Sequence, residues 1–263
     1  MKKFTKRLTM IVAILLSLVL LSSSILSTTL AKYVVAKDVT STVSMSKFNV
    51  TVTMSKGTST GVPALSESLK EGDSIEYTMT GITLKPGDNY SNLITASITA
   101  SANVPVASKV TITVDVKNVK VNETGTSDPF KVPKANFSTL TLNEDKAYLP
   151  LSVYVGGVEK LAAYQSYTYS ATAIEEAIEG AIGEAIKDTS ATNVTSKTYT
   201  RNNNMAQITG EIAQSKKPTW NNISFGFAWP ENQGTPNDQI GTWIAKTRPS
   251  FDIVYKITVE QKT

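Results

Sequence analysis

The chain has 263 residues, of which 26 are basic and 22 acidic, and it contains neither histidine nor cysteine. These absences exclude Ser-His-Asp and Cys-His catalysis, zinc sites ligated by histidine or thiolate, and disulfide bonds. Serine and threonine together supply 62 residues, while charged residues make up 18% of the chain, a composition that favours β-strands over helices.

The amino-terminal segment has the three-part pattern of a secretory signal peptide. Residues 2–7 carry four basic side chains, residues 8–21 are uncharged and apolar, and a serine cluster follows. Small residues near the end of this segment predict cleavage between Ala31 and Lys32 by a signal peptidase, which removes 1–31. The alternative is that 8–31 stays as a membrane anchor, because it is long enough to span a bilayer.

The rest of the chain, residues 32–263, carries 22 basic and 22 acidic residues and is therefore neutral. A neutral chain gives no electrostatic support for binding nucleic acid. We expect a secreted protein, located in an extracellular matrix or at the cell surface, that meets a membrane only through its signal segment before cleavage.

Residues 32–46 are predicted to form an amino-terminal strand that is separate from the rest. Val39, Val43 and Met45 share odd positions, whereas the apolar residues that follow occupy even positions. This change of parity requires a bulge or a turn near residues 46–47. A terminal strand can pair with its own domain or with a neighbouring copy, and the alternation alone favours the first arrangement.

Residues 47–263 contain many short segments in which apolar and polar positions alternate, which predicts strands with one buried face. Turn signals separate these segments, among them residues 85–88 and the pair Gly156-Gly157, which predicts a hairpin. Short strands without βαβ alternation predict an all-β fold, either an antiparallel β-sandwich or a jelly roll. The predicted strands are 48–54, 74–81, 92–100, 104–116, 137–142, 148–155, 164–170, 223–229 and 251–259.

One segment, residues 173–187, repeats every four positions instead of every two. This period predicts an amphipathic helix inserted in the sandwich at 172–188, with an apolar stripe formed by Ile174, Ile178, Ile182 and Ile186. Thr172 as the N-cap and Glu175 three residues later match a capping box. After this helix, residues 188–217 are polar and are predicted to form a long loop with room for one edge strand.

The isoleucine stripe has two interpretations. It packs onto the sandwich, or it binds a partner or a membrane surface. The first is favoured, because the polar face carries glutamates rather than the basic residues typical of a membrane-surface helix.

Few residues suggest chemistry. The adjacent acids Glu175-Glu176 and Glu144-Asp145 are expected to be solvated rather than catalytic, so we expect no enzyme and assign no cofactor. Glu231, Asn232 and Asp238 carry oxygen ligands suited to calcium, but their spacing fits no EF-hand loop, and polarity of a loop explains them equally well.

Three tryptophans are candidate ligand aromatics. Trp220, Trp229 and Trp243 lie within 24 residues of one another and could line a sugar-binding surface on a β-sandwich. Tryptophans at this density more often belong to a core or to an interface, and the sequence leaves both interpretations open.

Motifs at both ends and in the middle of the chain resemble the TasA/camelysin family of exported Gram-positive proteins. TLAKYV (29–34) and SKFNVTV (46–52) are similar to the region that follows a SipW-type signal peptide. LKPGD (84–88) is similar to the turn before a core strand in TasA-like proteins. ISFGFAWPENQGTPNDQIGTWI (223–244) resembles a carboxyl-terminal pattern of clostridial relatives, from which it departs at Phe227 and Glu231.

The resemblance implies a jelly-roll fold, export with a dedicated signal peptidase, and assembly into biofilm-matrix fibres by donor-strand exchange. The donor strand would then be 33–45, with the residues Tyr33, Val35, Val39, Val43 and Met45. The camelysin branch is described as metalloproteases, but a chain without histidine cannot form the H-E-x-x-H zinc site.

We therefore expect a secreted structural protein, a subunit or accessory of an extracellular fibre or cell-surface layer. It would form a homopolymer or assemble with a related matrix subunit. The alternative is a surface adhesin or a carbohydrate-binding β-sandwich module.

Overall fold

The architecture is that of a computed structural model, which describes residues 40–45, 50–57, 65–70, 74–121, 146–168, 171–234, 237–247 and 249–262. All of them lie in one compact unit, Asp38–Thr263. The predicted signal peptide 1–31 and its cleavage site, Ala31 and Lys32, lie outside the described residues, as does the predicted strand 137–142.

Most of the described strands belong to two antiparallel sheets. Sheet 1 contains, from edge to edge, β1 (Thr40–Met45), β2 (Val50–Lys56), β5 (Asn89–Ala100), β15 (Phe225–Ala228), β8 (Ser152–Val155) and β9 (Val158–Leu161). It is extended by β14 (Thr219–Trp220), which pairs with β5, and by β11 (Ala191–Thr192), which pairs with β14. Sheet 2 contains, in order, β12 (Thr195–Asn202), β13 (Met205–Ile212), β6 (Ser108–Val121), β16 (Pro249–Gln261), β4 (Ser74–Thr83) and β3 (Leu65–Lys70). A separate pair is formed by β7 (Lys146–Leu149) and β10 (Gln165–Thr168).

The prediction of an all-β sandwich is confirmed. Alternate residues of β2, β13 and β16 are buried, as expected for strands that bury one face against a second sheet. The chain also crosses repeatedly between the sheets, since β4, β5 and β6 lie in sheet 2, sheet 1 and sheet 2. The later strands β13, β15 and β16 repeat this order, so the connectivity is jelly-roll-like.

Both predicted turns are present. The amide of Asp88 donates to the carbonyl of Lys85 at 3.0 Å, which closes the turn before β5. Gly156-Gly157 joins β8 to β9 as a hairpin in which Val155 pairs with Val158. The predicted strand 148–155 is wrong as a single element, however. Pro150 separates β7 from β8, because proline has no amide hydrogen to continue a ladder.

The predicted loop 188–217 is wrong for most of its length, which forms the hairpin β12–β13, although β12 is an edge strand of the kind that the prediction allowed. The turn is made by Asn203 and Asn204, both of which have positive φ, a conformation that asparagine tolerates well. The strand β13 is an interior strand, paired with β12 on one side and β6 on the other. Its inward residues include Ala206 and Gly210, whose small size hides the alternation.

The predicted helix is observed as α1 (Ala171–Asp188). Its isoleucine stripe is buried in the core, with Ile174, Ile178, Ile182 and Ile186 all at most 2% exposed, which confirms the packing interpretation. The predicted N-cap is wrong, because the helix starts before Thr172. Glu175 therefore does not close a capping box, and its carboxyl group lies near the backbone of Val119 on β6 instead.

A second helix, α2 (Asn237–Thr247), lies in a stretch for which the sequence analysis predicts no element. Ile240 and Ile244 are buried on its inner face at i, i+4 spacing. One turn of apolar spacing is a weak signal, and the preceding polar run conceals it.

Two β-bulges lie in the strands on either side of β16, and both are opposite the same part of β16. In β4 the extra residue lies near Gly81, and in β6 near Asn118, and both residues have positive φ. Asp252 of β16 lies between them: one carboxylate oxygen accepts the Gly81 amide at 2.7 Å and the other accepts Asn118 Nδ2 at 2.7 Å. A single side chain thus joins the bulges of both neighbouring strands.

The two glycines of α1 face Tyr199 of β12 at different distances. A Cβ on Gly183 would lie 2.4 Å from Tyr199 Cε2, closer than atoms can approach, whereas a Cβ on Gly180 would lie 3.8 Å from Tyr199 Oη. Gly183 is therefore required by the close approach of helix and strand, and Gly180 is not.

We predict opposite effects for alanine at these two positions. Gly183→Ala should lower the free energy of unfolding by about 1–3 kcal/mol, because the ring of Tyr199 has to move. Gly180→Ala, the matched control, should raise it by up to about 1 kcal/mol through helix propensity. Urea denaturation of both variants measures the difference, and equal effects would contradict this packing.

Asp252→Ala should lower the free energy of unfolding by about 1–2 kcal/mol, because the Gly81 amide and the Asn118 amide group both lose a charged acceptor. Asp252→Asn keeps one acceptor oxygen and should lie between wild type and alanine. Thermal or urea denaturation of the three proteins tests the ranking. An alanine variant as stable as wild type would show that the bulges do not need this carboxylate.

Candidate functional site

The candidate site is the amino-terminal edge of sheet 1, which we call the β1 edge. Within the described residues β1 pairs with β2 over its whole length, from Thr40 opposite Ser55 to Met45 opposite Val50. No register shift interrupts this ladder. Val43 and Met45, two of the predicted donor-strand residues, lie in β1. Tyr33, Val35 and Val39 lie outside the described residues.

The neighbouring strand β2 is packed firmly into the core. Val50, Val52 and Met54 of β2 are fully buried, and β2 also pairs with β5 along its whole length. The hydroxyl of Tyr77, on the opposite sheet, donates to the Met54 carbonyl at 3.2 Å. The strand β2 is therefore part of the core, whereas the described pairing of β1 is with β2 alone.

The β1 edge differs in charge from three other edges of the two sheets in the described residues. Those edge strands carry two charged residues each, Glu67 and Lys70 in β3, Glu159 and Lys160 in β9, Lys197 and Arg201 in β12, whereas the two-residue edge strand β11 carries none. In β12 the register is also interrupted. Charges, bulges and short length protect a sheet edge from pairing with another chain. The strand β1, with the sequence TSTVSM, has neither charge nor bulge.

A polar cleft of about 390 Å³ lies where β2 ends, which we call the Lys56 cleft. The cleft is lined by β2, β5, the β8–β9 hairpin and the segment before β15. The lining residues are 55–57, Asn92, Thr95, 156–157, Asn222 and Ser224. Lys56 is 7% exposed, and it supplies the charge among these side chains. Because Thr40 is opposite Ser55, the first residue of β1 lies next to this cleft.

The sequence analysis does not identify the Lys56 cleft, although a signal for it exists. Lys56 has the same parity as the buried residues Val50, Val52 and Met54, so the alternation of β2 places a lysine at an inward position. A charged residue at such a position is costly unless polar groups surround it.

The candidate ligand aromatics do not form a surface. Trp220 and Trp229 are 0% and 1% exposed, which corrects the interpretation of these two residues as ligand-binding, and Trp243 of α2 is partly buried against the core. Both buried indole N–H groups have acceptors within the chain: Trp220 Nε1 donates to Thr189 Oγ1 at 2.7 Å and Trp229 Nε1 to Tyr164 Oη at 3.1 Å.

The candidate calcium ligands are used within the loop itself. The two carboxylate oxygens of Asp238 accept the amides of Gln233 and Gly234 at 2.8 and 3.0 Å. In the described part of the chain, no group of three acidic residues is arranged to hold a metal ion. This loop is explained by its internal hydrogen bonds.

Acidic side chains of α1 contact the end of strand β6. Beyond Val114, β6 has no pairing with β13, and there the carboxylate of Glu179 accepts the amide of Val116 at 2.9 Å. Glu179 is 0% exposed, and its other oxygen accepts Nε of Arg201 at 3.1 Å. At Val116 the carboxylate of Glu179 thus takes the place of a neighbouring strand, and the carboxyl group of Glu175 lies near the backbone of Val119.

This burial raises the pKa of Glu179, because desolvation outweighs the hydrogen bond from Val116 and the charge of Arg201. Burial raises the pKa of Glu175 as well. A raised carboxyl pKa is a known feature of catalytic acids, but every oxygen of Glu179 already has a partner here. The other adjacent acids, Glu144-Asp145, lie outside the described residues.

Compared with known proteins, the chain matches no family model, no curated protein and no solved structure. The resemblance to the TasA/camelysin family therefore remains a prediction. In the part of the chain that the structure describes, no helix has both the length and the apolar character needed to cross a bilayer.

The raised pKa of Glu179 predicts a pH dependence of stability. The folded protein holds this proton more tightly than the unfolded chain, in which a glutamate has a pKa of about 4.3. The stability contributed by Glu179 is therefore full below about pH 4 and is lost as the pH rises through the folded pKa. Urea denaturation from about pH 4 to pH 8 should show a steeper decline for wild type than for Glu179→Gln.

Glu184→Gln is the control for this measurement, because Glu184 is an exposed glutamate on the same helix. It reports the effect of removing one acidic charge without opening the core. Parallel curves for wild type and Glu179→Gln would show that the buried carboxyl does not hold its proton more tightly in the folded state.

Proposed function

We propose that the chain is a secreted structural protein, a subunit or accessory of an extracellular biofilm-matrix fibre or cell-surface layer, and that it assembles by exchanging its amino-terminal strand between copies. The observation that carries this proposal is the β1 edge. There, an uncharged terminal strand pairs with β2 alone and without interruption in the described residues.

Strand exchange is supported because the β1–β2 ladder is the same whether both strands belong to one copy or to two. When β1 leaves, β2 exposes the amides and carbonyls of every second one of its six paired positions, because its other positions bond to β5, and a β1 from another copy restores the same ladder. The hydrogen bonds that break and those that form are chemically identical, so protein concentration decides between closed monomer and polymer. Because donor and acceptor surfaces differ, repetition of the exchange produces an open chain of subunits.

The described surface favours association through strands over association through side chains. Among the residues whose exposure the structure describes, which leaves out β1 and β3, Val158 is the single large apolar side chain that is exposed, at 56%. Stable interfaces between side-chain surfaces have an apolar centre, which this part of the surface lacks. Main-chain pairing at an edge does not require such a patch.

We predict that tethering β1 to its own β2 blocks polymerisation. The natural chain has no cysteine, so Thr42→Cys with Thr53→Cys introduces one defined pair at opposed positions of the two strands. Directly opposed residues in antiparallel strands lie at distances that disulfides span. Oxidised monomers of residues 32–263 should stay monomeric by electron microscopy and size-exclusion chromatography, and reduction should restore polymers.

The matched control is Thr53→Cys with Ser97→Cys, which joins β2 to β5 and leaves β1 untethered. It should polymerise whether oxidised or reduced. If the first pair is oxidised after assembly, the crosslinks should join separate chains and give a ladder on a non-reducing gel. Polymerisation of the tethered protein at the rate of this control would exclude strand exchange.

A further inference from the structure

We propose that the outer face of sheet 1 is a second contact surface between copies of this chain, through which polymers lie side by side. This surface, which we call the hydroxyl face, is formed by outward residues of β2 and β5: Thr51, Thr53, Ser55, Thr95, Ser97 and Thr99. The proposal rests on the strand exchange proposed above, to which it adds a contact between finished polymers.

The alternation of two strands builds this face. In residues 50–55 of β2 and 94–100 of β5, every second residue is apolar and buried, and each residue between them carries a hydroxyl. The register places Thr53 opposite Ser97, with one further pair of hydroxyl residues on either side. Opposed residues of antiparallel strands share a face, so the hydroxyls form rows that run across the strands.

The rows extend beyond β2 and β5. Thr99 is also opposite Thr219 of β14, which in turn is opposite Thr192 of β11. On the other side, the ladder with β1 places a serine or threonine opposite each of the three outward residues of β2. In the proposed polymer this β1 comes from a neighbouring copy, so the rows pass from one copy to the next.

The hydroxyl face differs in charge from the outer face of sheet 2. Among the outward residues of sheet 2 are Lys256 and Glu76, whose Nζ and Oε2 atoms are 3.8 Å apart. Another is Glu211, whose carboxylate accepts Lys262 Nζ at 2.8 Å. The six residues of the hydroxyl face are uncharged, and none is larger than threonine. Surface charges help to keep copies of a protein apart, and this face lacks them.

A face of hydroxyls is complementary to a second copy of itself. A hydroxyl both donates and accepts, so it can pair with another hydroxyl in either direction. Where two copies are related by a two-fold axis, the same patch meets itself, and a patch of one charge would meet like charges. Small side chains also let two sheets approach closely, and twisted sheets pack face to face in sandwiches.

The chemistry of the face favours a second copy over a sugar ligand. Sites for small molecules are concave and largely lined by apolar and aromatic side chains, whereas the six residues here are serines and threonines on a sheet surface. The charge of the whole chain points the same way. Residues 32–263 carry 22 basic and 22 acidic residues, so no net charge holds polymers apart.

The contact is weak for one copy and gains strength by repetition. Stable interfaces use about 20–30 residues on each side and have an apolar centre, and the hydroxyl face supplies neither. Along a polymer the same contact recurs from copy to copy, and linked contacts strengthen one another without new chemistry. We therefore expect monomers to stay apart and polymers to associate side by side.

Charges placed on the hydroxyl face test the proposal in polymers of residues 32–263. Ser97→Lys with Thr99→Lys adds two like charges per copy on β5, which does not pair with β1. Polymers should grow at the wild-type rate, but the fraction found in bundles by electron microscopy should fall about tenfold at low salt. Bundles should return in about 1 M salt, where the Debye length is about 3 Å.

The matched control is Thr198→Lys with Thr200→Lys, which adds the same charge to exposed positions on the outer face of sheet 2. These polymers should bundle as wild type does. Ser97→Glu with Thr99→Glu should give single polymers, and mixing them with preformed polymers of the β5 lysine variant should restore bundles. If the β5 lysine variant bundles like wild type at low salt, polymers do not meet through this face.

Circular dichroism shows whether the β5 variants fold. If they do not, Thr192→Lys with Thr219→Lys, on the short strands that extend one row, should lower bundling in the same direction. An unchanged bundled fraction in this folded variant would overturn the proposal.

The remaining outcomes separate this proposal from strand exchange. If wild-type polymers form but stay single, strand exchange stands and the hydroxyl face is not a contact between copies. If they bundle only after a neutral glucan is added, the occupant of the face is a sugar polymer and the proposal is wrong. If residues 32–263 form no polymers, strand exchange fails, and a contact that depends on repetition fails with it.

Discussion

The packing of β15 against β16 links the two sheets, and the rest of the domain depends on this contact. Phe225 meets Tyr255 edge to face with ring centroids 5.2 Å apart, and Phe227 meets Phe251 in the same way at 5.5 Å. The Tyr255 hydroxyl donates to the Ile223 carbonyl at 2.9 Å, and full burial raises its pKa far above the ordinary tyrosine value. Because the chain has no cysteine, such side-chain packing has to replace disulfide staples.

The two sheets are held together at the centre of the sandwich, so their edge strands need not resemble one another. In this chain the edge strands differ in charge. Charged residues mark β3, β9 and β12, as natural proteins commonly mark edges that should not pair. Beyond the end of its pairing with β13, β6 is covered by α1, where the Glu179 carboxylate satisfies the Val116 amide without offering a new strand edge. The described part of the β1 edge has no charged residue and no covering carboxylate from a helix.

The sequence predicts those parts of the fold whose signal is a period of large apolar residues. The strands β2, β6 and β16 and the isoleucine stripe of α1 belong to this class. The hairpin β12–β13 escapes prediction because the inward positions Ala206 and Gly210 are small, and α2 because a single pair, Ile240 and Ile244, marks its inner face. Of the candidate site, the sequence predicts the separate terminal strand, but the Lys56 cleft is built from four segments distant in sequence.

The features of β1 fit the reversible pairing that the proposed strand exchange requires. A strand with large apolar residues at every inward position would be held firmly in its own sheet and would exchange slowly, whereas a charged strand would be excluded from a second one. Small hydroxyl residues permit exchange, but they specify register weakly. What aligns β1 on β2 in the described residues is the ladder itself, six opposed pairs without a register shift from Thr40 opposite Ser55 to Met45 opposite Val50.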